Sequence, residues 1–164
     1  NINIQDNTVY HAHGGFVIGS EFSGGMKNIV VRNNTFQGTD AGLRFKSAVK
    51  RGGKSENIYI DHIYMTDSTG DAITFETTYF DNHVGAKQQA TPVKQEFLPD
   101  FQDIHISNVY VRGCKNGIVA HGAEGMIHDI TIKDCNIFYN KNAKDIDAAC
   151  KITLENVNFS TFAK

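Results

Sequence analysis

One imidazole and two cations lie beside glycine in two short stretches of this sequence. His13 lies in "HAHGGFVIGS", and Arg44 and Lys46 lie 31 and 33 residues later in "GLRFKS". A guanidinium offers a planar fork of donors to a carboxylate, and an ammonium offers a point charge. If the three side chains share one surface, they form a cationic strip suited to an anion with a ring, such as an acidic sugar. A solvated charged strand beside a turn histidine is the alternative that these residues leave open.

The alternation of apolar and charged residues in "GLRFKS" predicts a strand with two different sides. Leu43 and Phe45 share one parity, so a strand that buries them points Arg44 and Lys46 outward together. Two residues of strand rise separate side chains on one side by about 7 Å. The two cations are therefore predicted to be neighbours on one surface.

The stretch around His13 follows the same logic. Phe16 and Ile18 are predicted to point inward, which gives His13 and Gly15 the outer parity unless the turn at Gly14 breaks the alternation. Two adjacent glycines remove side-chain bulk, so we expect that a ligand can approach the backbone closely here. Gly14 is therefore a candidate binding position next to His13.

A repeat along the whole chain predicts how these stretches meet. Six eight-residue segments have Ile in the first column, an aliphatic residue in the third, a polar residue in the fifth and an apolar residue in the eighth. The segments begin at Ile2, Ile29, Ile58, Ile104, Ile130 and Ile152. Their starts are 27, 29, 46, 26 and 22 residues apart, and four of these spacings fit one coil of a solenoid. The distance from His13 to Arg44 is close to one coil, so the two residues are expected on adjacent coils.

The fold class follows from the same repeat. The period of two in each segment indicates a strand, and the polar fifth column indicates a turn. Second short runs ("GFVIGS", "GLRFKS", "DAITFE" and "GIVAHG") add at least one more strand to each coil, without a helix. We therefore predict an all-β, single-stranded parallel β-helix of about six coils. A leucine-rich repeat would need a fixed Leu framework, and a β-sandwich would not need the same Ile column six times.

The organisation is one domain over residues 1–164, with one long excursion. The 46-residue spacing contains a polar stretch with both prolines, which predicts a loop that leaves the coil at about residues 77–101. Insertions in solenoids often gather on the binding face. A tolerated surface loop is the alternative.

Composition excludes several classes of protein. The net charge of −2 and the 40% hydrophobic content point neither to nucleic-acid binding nor to disorder, and no apolar run is long enough to span a membrane. The three cysteines have no zinc-binding spacing, so no metal is predicted. Buried free thiols are the favoured interpretation, and a Cys114–Cys135 disulfide stays open.

The two stretches together resemble the pectin-degrading glycoside hydrolases of family 28, the polygalacturonases, and most of all their bacterial exo-acting members. The Gly-His-Gly motif of the family is matched by Ala12-His13-Gly14, and its Arg-Ile-Lys motif by Arg44-Phe45-Lys46. Both changes keep the functional side chains. "DAITFE" and "PDFQDIHISNVYVRG" also look like the C-terminal half of such enzymes, so the resemblance covers essentially the whole chain.

This resemblance implies a right-handed β-helix and hydrolysis of α-1,4 bonds between galacturonic acids, with inversion. It makes His13 a catalytic residue that helps set the protonation of the acids, and Gly14, Arg44 and Lys46 substrate-binding residues. It implies no cofactor, a pectic polysaccharide as the partner, and an extracellular or periplasmic location. Endo or exo action, and polygalacturonan or a related galacturonan as substrate, are left open.

The acids that such a reaction needs are not evident in this sequence. The Asn-Thr-Asp and Asp-Asp motifs of the family are missing, and Asp6, Asp40 and Asp71 are each interpreted as turn residues. The resemblance therefore implies that the acids precede residue 1, that the chain is truncated at its N-terminus, and that it is inactive alone. The tyrosine of the family has no match, and Tyr64 or Tyr79 is the expected substitute.

Other ionisable side chains have less specific assignments. Glu21 and Glu76 end outer strands and are candidates to face the groove. His62, in the fifth column, is interpreted as structural, and His121 as a surface residue. Two other functions stay open. One is a pectic polysaccharide lyase, against which the missing acidic cluster argues, and the other is a non-catalytic carbohydrate-binding or adhesin β-helix.

Overall fold

The structure, a computed structural model, describes residues 1–78 and 97–162. Most of the predicted loop at 77–101, together with Tyr79, lies outside the described residues. The described strands are β1 (Ile2–Gln5), β2 (Thr8–Tyr10), β3 (Phe16–Ile18), β4 (Met26–Gln37), β5 (Leu43–Lys46), β6 (Lys54–Thr66), β7 (Asp71–Glu76), β8 (Asp100–Phe101), β9 (Ile104–His121), β10 (Ile130–Ile146) and β11 (Ile152–Thr161).

These strands stack as the coils of a parallel β-helix, which confirms the predicted fold class. On the first face the six Ile residues of the repeat pair in register, from β1 through β4, β6, β9 and β10 to β11. All of these pairings are parallel. Six rungs on this face agree with the prediction of about six coils.

The coils form three faces, and the bend between the first and the second face is a single residue. All six residues of the polar fifth column have positive φ, between 50° and 60°. This bend column consists of Asp6, Asn33, His62, Asn108, Asp134 and Asn156. Asn and Asp tolerate the left-handed conformation better than other side chains do. Five of the six segments each lie within one strand, as predicted, and the chain changes direction at the bend column before it continues on the second face.

Hydrogen bonds between adjacent coils hold the bend column in place. The Asn33 amide donates to Asp6, and the Asn156 amide donates to Asp134 Oδ1 over 2.8 Å. A second column of left-handed residues, which the eight-residue repeat does not include, directly precedes the Ile column. Its members are Asn28, Asn57, Asp103 and Asp129.

The third face carries the "GFVIGS", "GLRFKS", "DAITFE" and "GIVAHG" runs, as predicted. They pair in parallel as β3, β5, β7 and the C-terminal part of β9. Behind this face the Phe45 and Phe75 rings stack at 4.5 Å, and the Phe101 ring packs against that of Phe75 at 6.2 Å. All three side chains are fully buried. Burying an aromatic side chain contributes roughly 1.5–3 kcal/mol, so this stack firmly anchors the backbone of the third face.

The described ends of the predicted loop lie on the coils. The Thr77 amide donates to the His121 carbonyl over 3.0 Å, and β8 pairs in parallel with the start of β6. In the described part of the chain, no helix is long and apolar enough to cross a membrane.

All three cysteines are buried free thiols, so Cys114 and Cys135 do not form a disulfide. Burial raises the pKa of Cys114 to about 12 and that of Cys135 to about 11. The thiolate is the reactive form of cysteine, so both side chains act as small apolar core residues.

Candidate active site

The outer side of the third face carries the predicted cations. In β5, Leu43 and Phe45 are fully buried, and Arg44 and Lys46 point to the opposite side. The cross-strand register places Arg44 beside Thr74, and Lys46 beside Glu76. Alternation along one short strand is therefore sufficient to place both cations on the outer side of the third face.

His13 and Arg44 meet between adjacent coils. Arg44 Nη1 lies 3.3 Å from His13 Nε2, and the other ring nitrogen, Nδ1, lies 2.9 Å from Asp40 Oδ2. On its far side, Arg44 Nη2 is 3.9 Å from Glu76 Oε2. The structure thus brings together two of the three side chains from which the cationic strip was predicted, and adds two carboxylates to them.

Asp40 and Thr69 were not assigned to the site from the sequence, although its spacing contains the signal. His13, Asp40, Thr69 and Lys115 each lie eleven residues after an Ile of the repeat, and we call these four residues the site row. Asp40 Oδ1 accepts a hydrogen bond from Thr69 Oγ1 over 3.1 Å. The hydrogen bonds from His13 and Thr69 hold the pKa of Asp40 below its ordinary value. Asp40 is therefore an ionised acceptor in this network.

A polar pocket of about 310 Å³ opens beside the site row. Cations and carboxylates both line it, together with two threonines and two small residues. The lining residues are Asp40, Ala41, Arg44, Thr69, Gly70, Asp71, Thr74, Glu76 and Lys115. A few convergent polar groups of this kind fix the orientation of a bound ligand.

Gly14 and Gly15 have packing reasons to lack a side chain. A Cβ on Gly14 would lie 2.3 Å from Cγ2 of Val17, and a Cβ on Gly15 would lie 2.2 Å from the buried ring of Phe36. Gly15 therefore faces the core, and its predicted outer parity was wrong because the turn interrupts the alternation before Phe16. Phe16 and Ile18 are buried as predicted. Ligand contact at Gly14 stays a prediction.

The remaining carboxylates in and near the groove already have partners. Asp71 accepts hydrogen bonds from Asn116 Nδ2 at 2.7 Å and from Thr74 Oγ1 at 3.3 Å. Glu76 faces the groove and Arg44. Glu21 instead pairs with Arg51 Nη1 at 2.9 Å.

Other predicted candidates lie away from His13. Tyr64 is on the second face, where its ring stacks on that of Tyr110 at 5.5 Å. His121 follows Glu76 in the register of the third face, and its Nδ1 lies 3.2 Å from Asp147 Oδ1. His62 is a member of the bend column, as its structural interpretation required.

The arrangement is suited to binding a carboxylate rather than to donating a proton. A general acid needs a carboxyl group whose pKa is raised, and Asp40 shows the opposite shift. Within residues 1–78 and 97–162, no three His, Cys, Asp or Glu side chains converge as a metal site would require.

Comparison with known proteins relates this chain to a family of glycosyl hydrolases. The family model described as Glycosyl hydrolases family 28 matches residues 1–161. A polygalacturonase of Ralstonia nicotianae is 27% identical over 159 residues, which are 91% of this chain and 28% of that protein. An exo-poly-alpha-D-galacturonosidase of Dickeya chrysanthemi is 31% identical over 107 residues, which are 65% of this chain and 17% of that protein.

Solved structures show the same relation. A hyperthermoactive exopolygalacturonase from Thermotoga maritima superposes with a TM-score of 0.81 and 30% identity, covering 96% of this chain and 34% of that one. A family 28 exopolygalacturonase of Yersinia enterocolitica matches with a TM-score of 0.52 at 19% identity, over 93% of this chain and 30% of that one, which supports the fold alone. The chain thus spans between 17% and 34% of the length of these four proteins.

Proposed function

We propose that this chain, which belongs to glycosyl hydrolases family 28, is part of an enzyme that hydrolyses α-1,4 linkages between galacturonic acids in pectic polysaccharides, with inversion. In this proposal His13 is a catalytic residue, and Gly14, Arg44 and Lys46 bind the substrate. The observation that carries it is the 3.3 Å contact between Arg44 Nη1 and His13 Nε2 on adjacent coils. That contact places an imidazole beside a cation suited to a sugar carboxylate.

Arg44 is the principal carboxylate ligand in this proposal. Its side chain is only 17% exposed, so its charge acts in surroundings that screen it less than bulk water does. A guanidinium carries five N–H donors and can therefore serve His13 and a bound carboxylate together. Lys46, two residues along the same side of β5, supplies a second positive charge to the same anionic chain.

The proton-transfer carboxylates are proposed to belong to coils outside these 164 residues. An inverting hydrolase needs an acid and a base about 6.5–9.5 Å apart. Among the described carboxylates of the groove, Asp40 is held ionised, Asp71 accepts two hydrogen bonds and Glu76 faces Arg44. We therefore expect the isolated chain to be inactive. A polymeric substrate also argues for action outside the cell or in the periplasm.

The products formed from polygalacturonate test the reaction class. We expect the full-length protein that contains this chain to release new reducing ends without unsaturated sugars. Unsaturated ends would identify a lyase, and binding without cleavage would identify a non-catalytic β-helix. Turnover by the isolated 164-residue chain would show that the acids lie within it.

A variant of Lys46 tests the binding role. We expect Lys46→Ala to lower kcat/KM by about tenfold or more, because it removes one of the two positive charges that are proposed to bind the anionic substrate. Lys133→Ala, which removes an exposed lysine from the first face, is the matched control. Equal kinetics for the two variants would exclude Lys46 from the site.

A further inference from the structure

We propose that Asp40 and Thr69 are positioning residues that hold His13 as a neutral imidazole with its proton on Nδ1, leaving Nε2 to accept a hydrogen bond from Arg44. The effect on turnover rests on the proposed function, whereas the tautomer does not depend on it. Neither Asp40 nor Thr69 needs to touch the substrate for this role. Both act through His13 and, through it, on Arg44.

The chemistry of Arg44 fixes which ring nitrogen of His13 carries the proton. A guanidinium has only donors and stays protonated in proteins, so the nitrogen that it contacts must accept. That nitrogen is His13 Nε2, at 3.3 Å from Arg44 Nη1. A neutral imidazole has one donor and one acceptor, so the proton lies on Nδ1 and is donated to Asp40 Oδ2 at 2.9 Å.

A hydrogen bond from the next coil orients the Asp40 carboxylate toward His13. Its Oδ1 accepts from Thr69 Oγ1 at 3.1 Å, which leaves Oδ2 directed at His13. The Asp40 backbone amide donates to the Ala12 carbonyl at 3.0 Å, and the Thr69 amide donates to the Thr39 carbonyl at 3.1 Å. Three successive coils are therefore linked through backbone and side chain at the same point. An ionised carboxylate fixed in this way is a stronger acceptor than water.

The contacts with His13 and Glu76 fix the orientation of the Arg44 guanidinium, which is the group proposed to bind the substrate. Arg44 is contacted by His13 at Nη1, and Glu76 lies 3.9 Å from Nη2. A fork fixed by two neighbours loses less conformational freedom when it binds a carboxylate. If Nε2 carried the proton instead, that N–H would point at the guanidinium, and the two donors would repel each other. Removing Asp40 should therefore disturb the orientation of Arg44 without touching it.

A ring-nitrogen NMR spectrum of this chain tests the tautomer directly. Long-range proton–nitrogen correlation at about pH 8, above the ordinary range of histidine titration, distinguishes the two neutral tautomers. We expect His13 to show the Nδ1–H form, favoured by about tenfold or more, since hydrogen bonds to charged groups are the strong ones. His105 is an internal reference, because its Nε2 lies 2.9 Å from Asp103 Oδ1 and it should show the opposite tautomer.

Three variants give the spectrum its controls. Asp40→Ala should reduce the preference of His13 by about tenfold. Thr69→Val, which keeps the size of the side chain, should shift it less in the same direction. Asp103→Ala should remove the hydrogen-bond acceptor of His105 and leave the tautomer of His13 unchanged. Backbone amide spectra establish that each variant is folded.

Specific results would overturn the proposal. A wild-type spectrum with the proton on Nε2 of His13, or with both nitrogens protonated, contradicts the assignment even if no variant folds. An unchanged His13 tautomer in Asp40→Ala removes Asp40 from the role, and an unchanged tautomer in Thr69→Val removes Thr69.

Activity separates this inference from the proposed function. In the full-length protein, Asp40→Ala should lower kcat/KM on polygalacturonate by about tenfold, in proportion to the lost tautomer preference. If the spectrum changes as expected but turnover does not, the positioning stands and the catalytic role of His13 fails. If turnover falls while the tautomer stays the same, the positioning proposal is overturned.

Discussion

The bend column and the site row are both stacks of polar side chains that recur once per coil along the same solenoid. The bend column holds Asn or Asp at five of its six positions, and all six residues have left-handed φ values. The site row combines an imidazole, a carboxylate, a hydroxyl and an ammonium, and none of its four residues has positive φ. Hydrogen bonds join members of both stacks, Asn156 to Asp134 in the bend column and Thr69 to Asp40 in the site row, but only the site row borders a polar pocket that contains Arg44.

The difference shows what each stack is for. Every coil must make the same change of direction, so the residue types that tolerate left-handed φ recur on every coil. A site is needed only once along the solenoid, so the residues at its position differ from coil to coil. Regular spacing with uniform chemistry therefore indicates backbone geometry, and regular spacing with mixed chemistry indicates a candidate site.

The largest expected effect comes from the groove. Arg44→Ala should lower kcat/KM of the full-length enzyme on polygalacturonate by about 30-fold or more, because truncating one member of a desolvated, hydrogen-bonded charge pair costs about 2–5 kcal/mol. Steady-state kinetics measure it. Arg32→Ala is the matched control, since Arg32 is on the first face and its Nε bonds to Gln5 Oε1 at 2.9 Å. Similar kinetics for both variants would remove Arg44 from the binding role.

The bend column should affect stability instead of activity. Asn108 has φ 54°, and its amide donates to Asp61 Oδ1 at 2.7 Å. Asn108→Ala should lower the free energy of unfolding by about 2 kcal/mol, from about 1–2 kcal/mol of left-handed strain and the lost hydrogen bond. Urea denaturation of the chain measures it.

A glycine at the same position separates the two contributions. Asn108→Gly removes the hydrogen bond but tolerates positive φ, so its loss should be smaller than that of Asn108→Ala. If alanine is no worse than glycine, the bend column does not owe its composition to φ. Its hydrogen bonds would then be the reason for the Asn and Asp residues.

Most of the fold could be predicted from the sequence because a solenoid repeats its physical requirements. Local rules predict three of its features, namely the Ile column, the turn at the fifth column and the two sides of "GLRFKS". These rules are the alternation of side chains along a strand and the preference of Asn and Asp for turns. The second left-handed column was missed because its members stand outside the apolar pattern. Gly15 faces Phe36 in the core, and not the outer side, because the turn at Gly14 interrupts the alternation. Local parity carries no information about packing between faces.

The part of the site formed by two motifs one coil apart was predictable from the sequence. The part formed by the single residue Asp40 was not recognised. The spacing from His13 to Arg44 correctly predicted that they would meet. Asp40 was interpreted as an isolated turn acid, although its distance of 27 residues from His13 equals the first repeat spacing. The regular spacing of the repeat continues beyond its eight residues and includes the position of Asp40. The roles of His13, Gly14, Arg44 and Lys46 stay predictions.

A smaller effect on the free energy of unfolding is expected when Asp61, a carboxylate beside the bend column, is protonated at low pH. Partial burial alone would raise the pKa of Asp61. Hydrogen bonds from Asn108, His62 and Ser107 outweigh that effect, so the pKa lies below its ordinary value of 3.8. The unfolded chain therefore binds protons at higher pH, and this stabilisation is present above that value and is lost as the pH falls through the folded pKa.

Asp61→Asn should accordingly make stability less sensitive to acid. Urea denaturation at neutral pH and at about pH 3 measures the difference, which should shrink relative to wild type. Glu155→Gln removes an exposed carboxylate from β11 and is the control. An Asp61→Asn protein that loses as much stability in acid as wild type would show that the hydrogen bonds beside the bend column do not act through this carboxylate.

The smallest effect on stability is expected from the site row itself. Thr69→Val removes the hydroxyl that donates to Asp40 Oδ1 but keeps the shape of an exposed side chain. Stability should change by no more than about 0.5 kcal/mol, as for other surface substitutions. The pKa of Asp40 should instead rise toward its ordinary value, because the hydrogen bond from Thr69 is one of the two that lower it most. Carboxyl NMR titration of the chain measures this shift. A Thr69→Val protein that loses as much stability as Asn108→Ala would mean that the site row also stabilises the stacking of the coils. The distinction between a stabilising bend column and a functional site row would then be wrong.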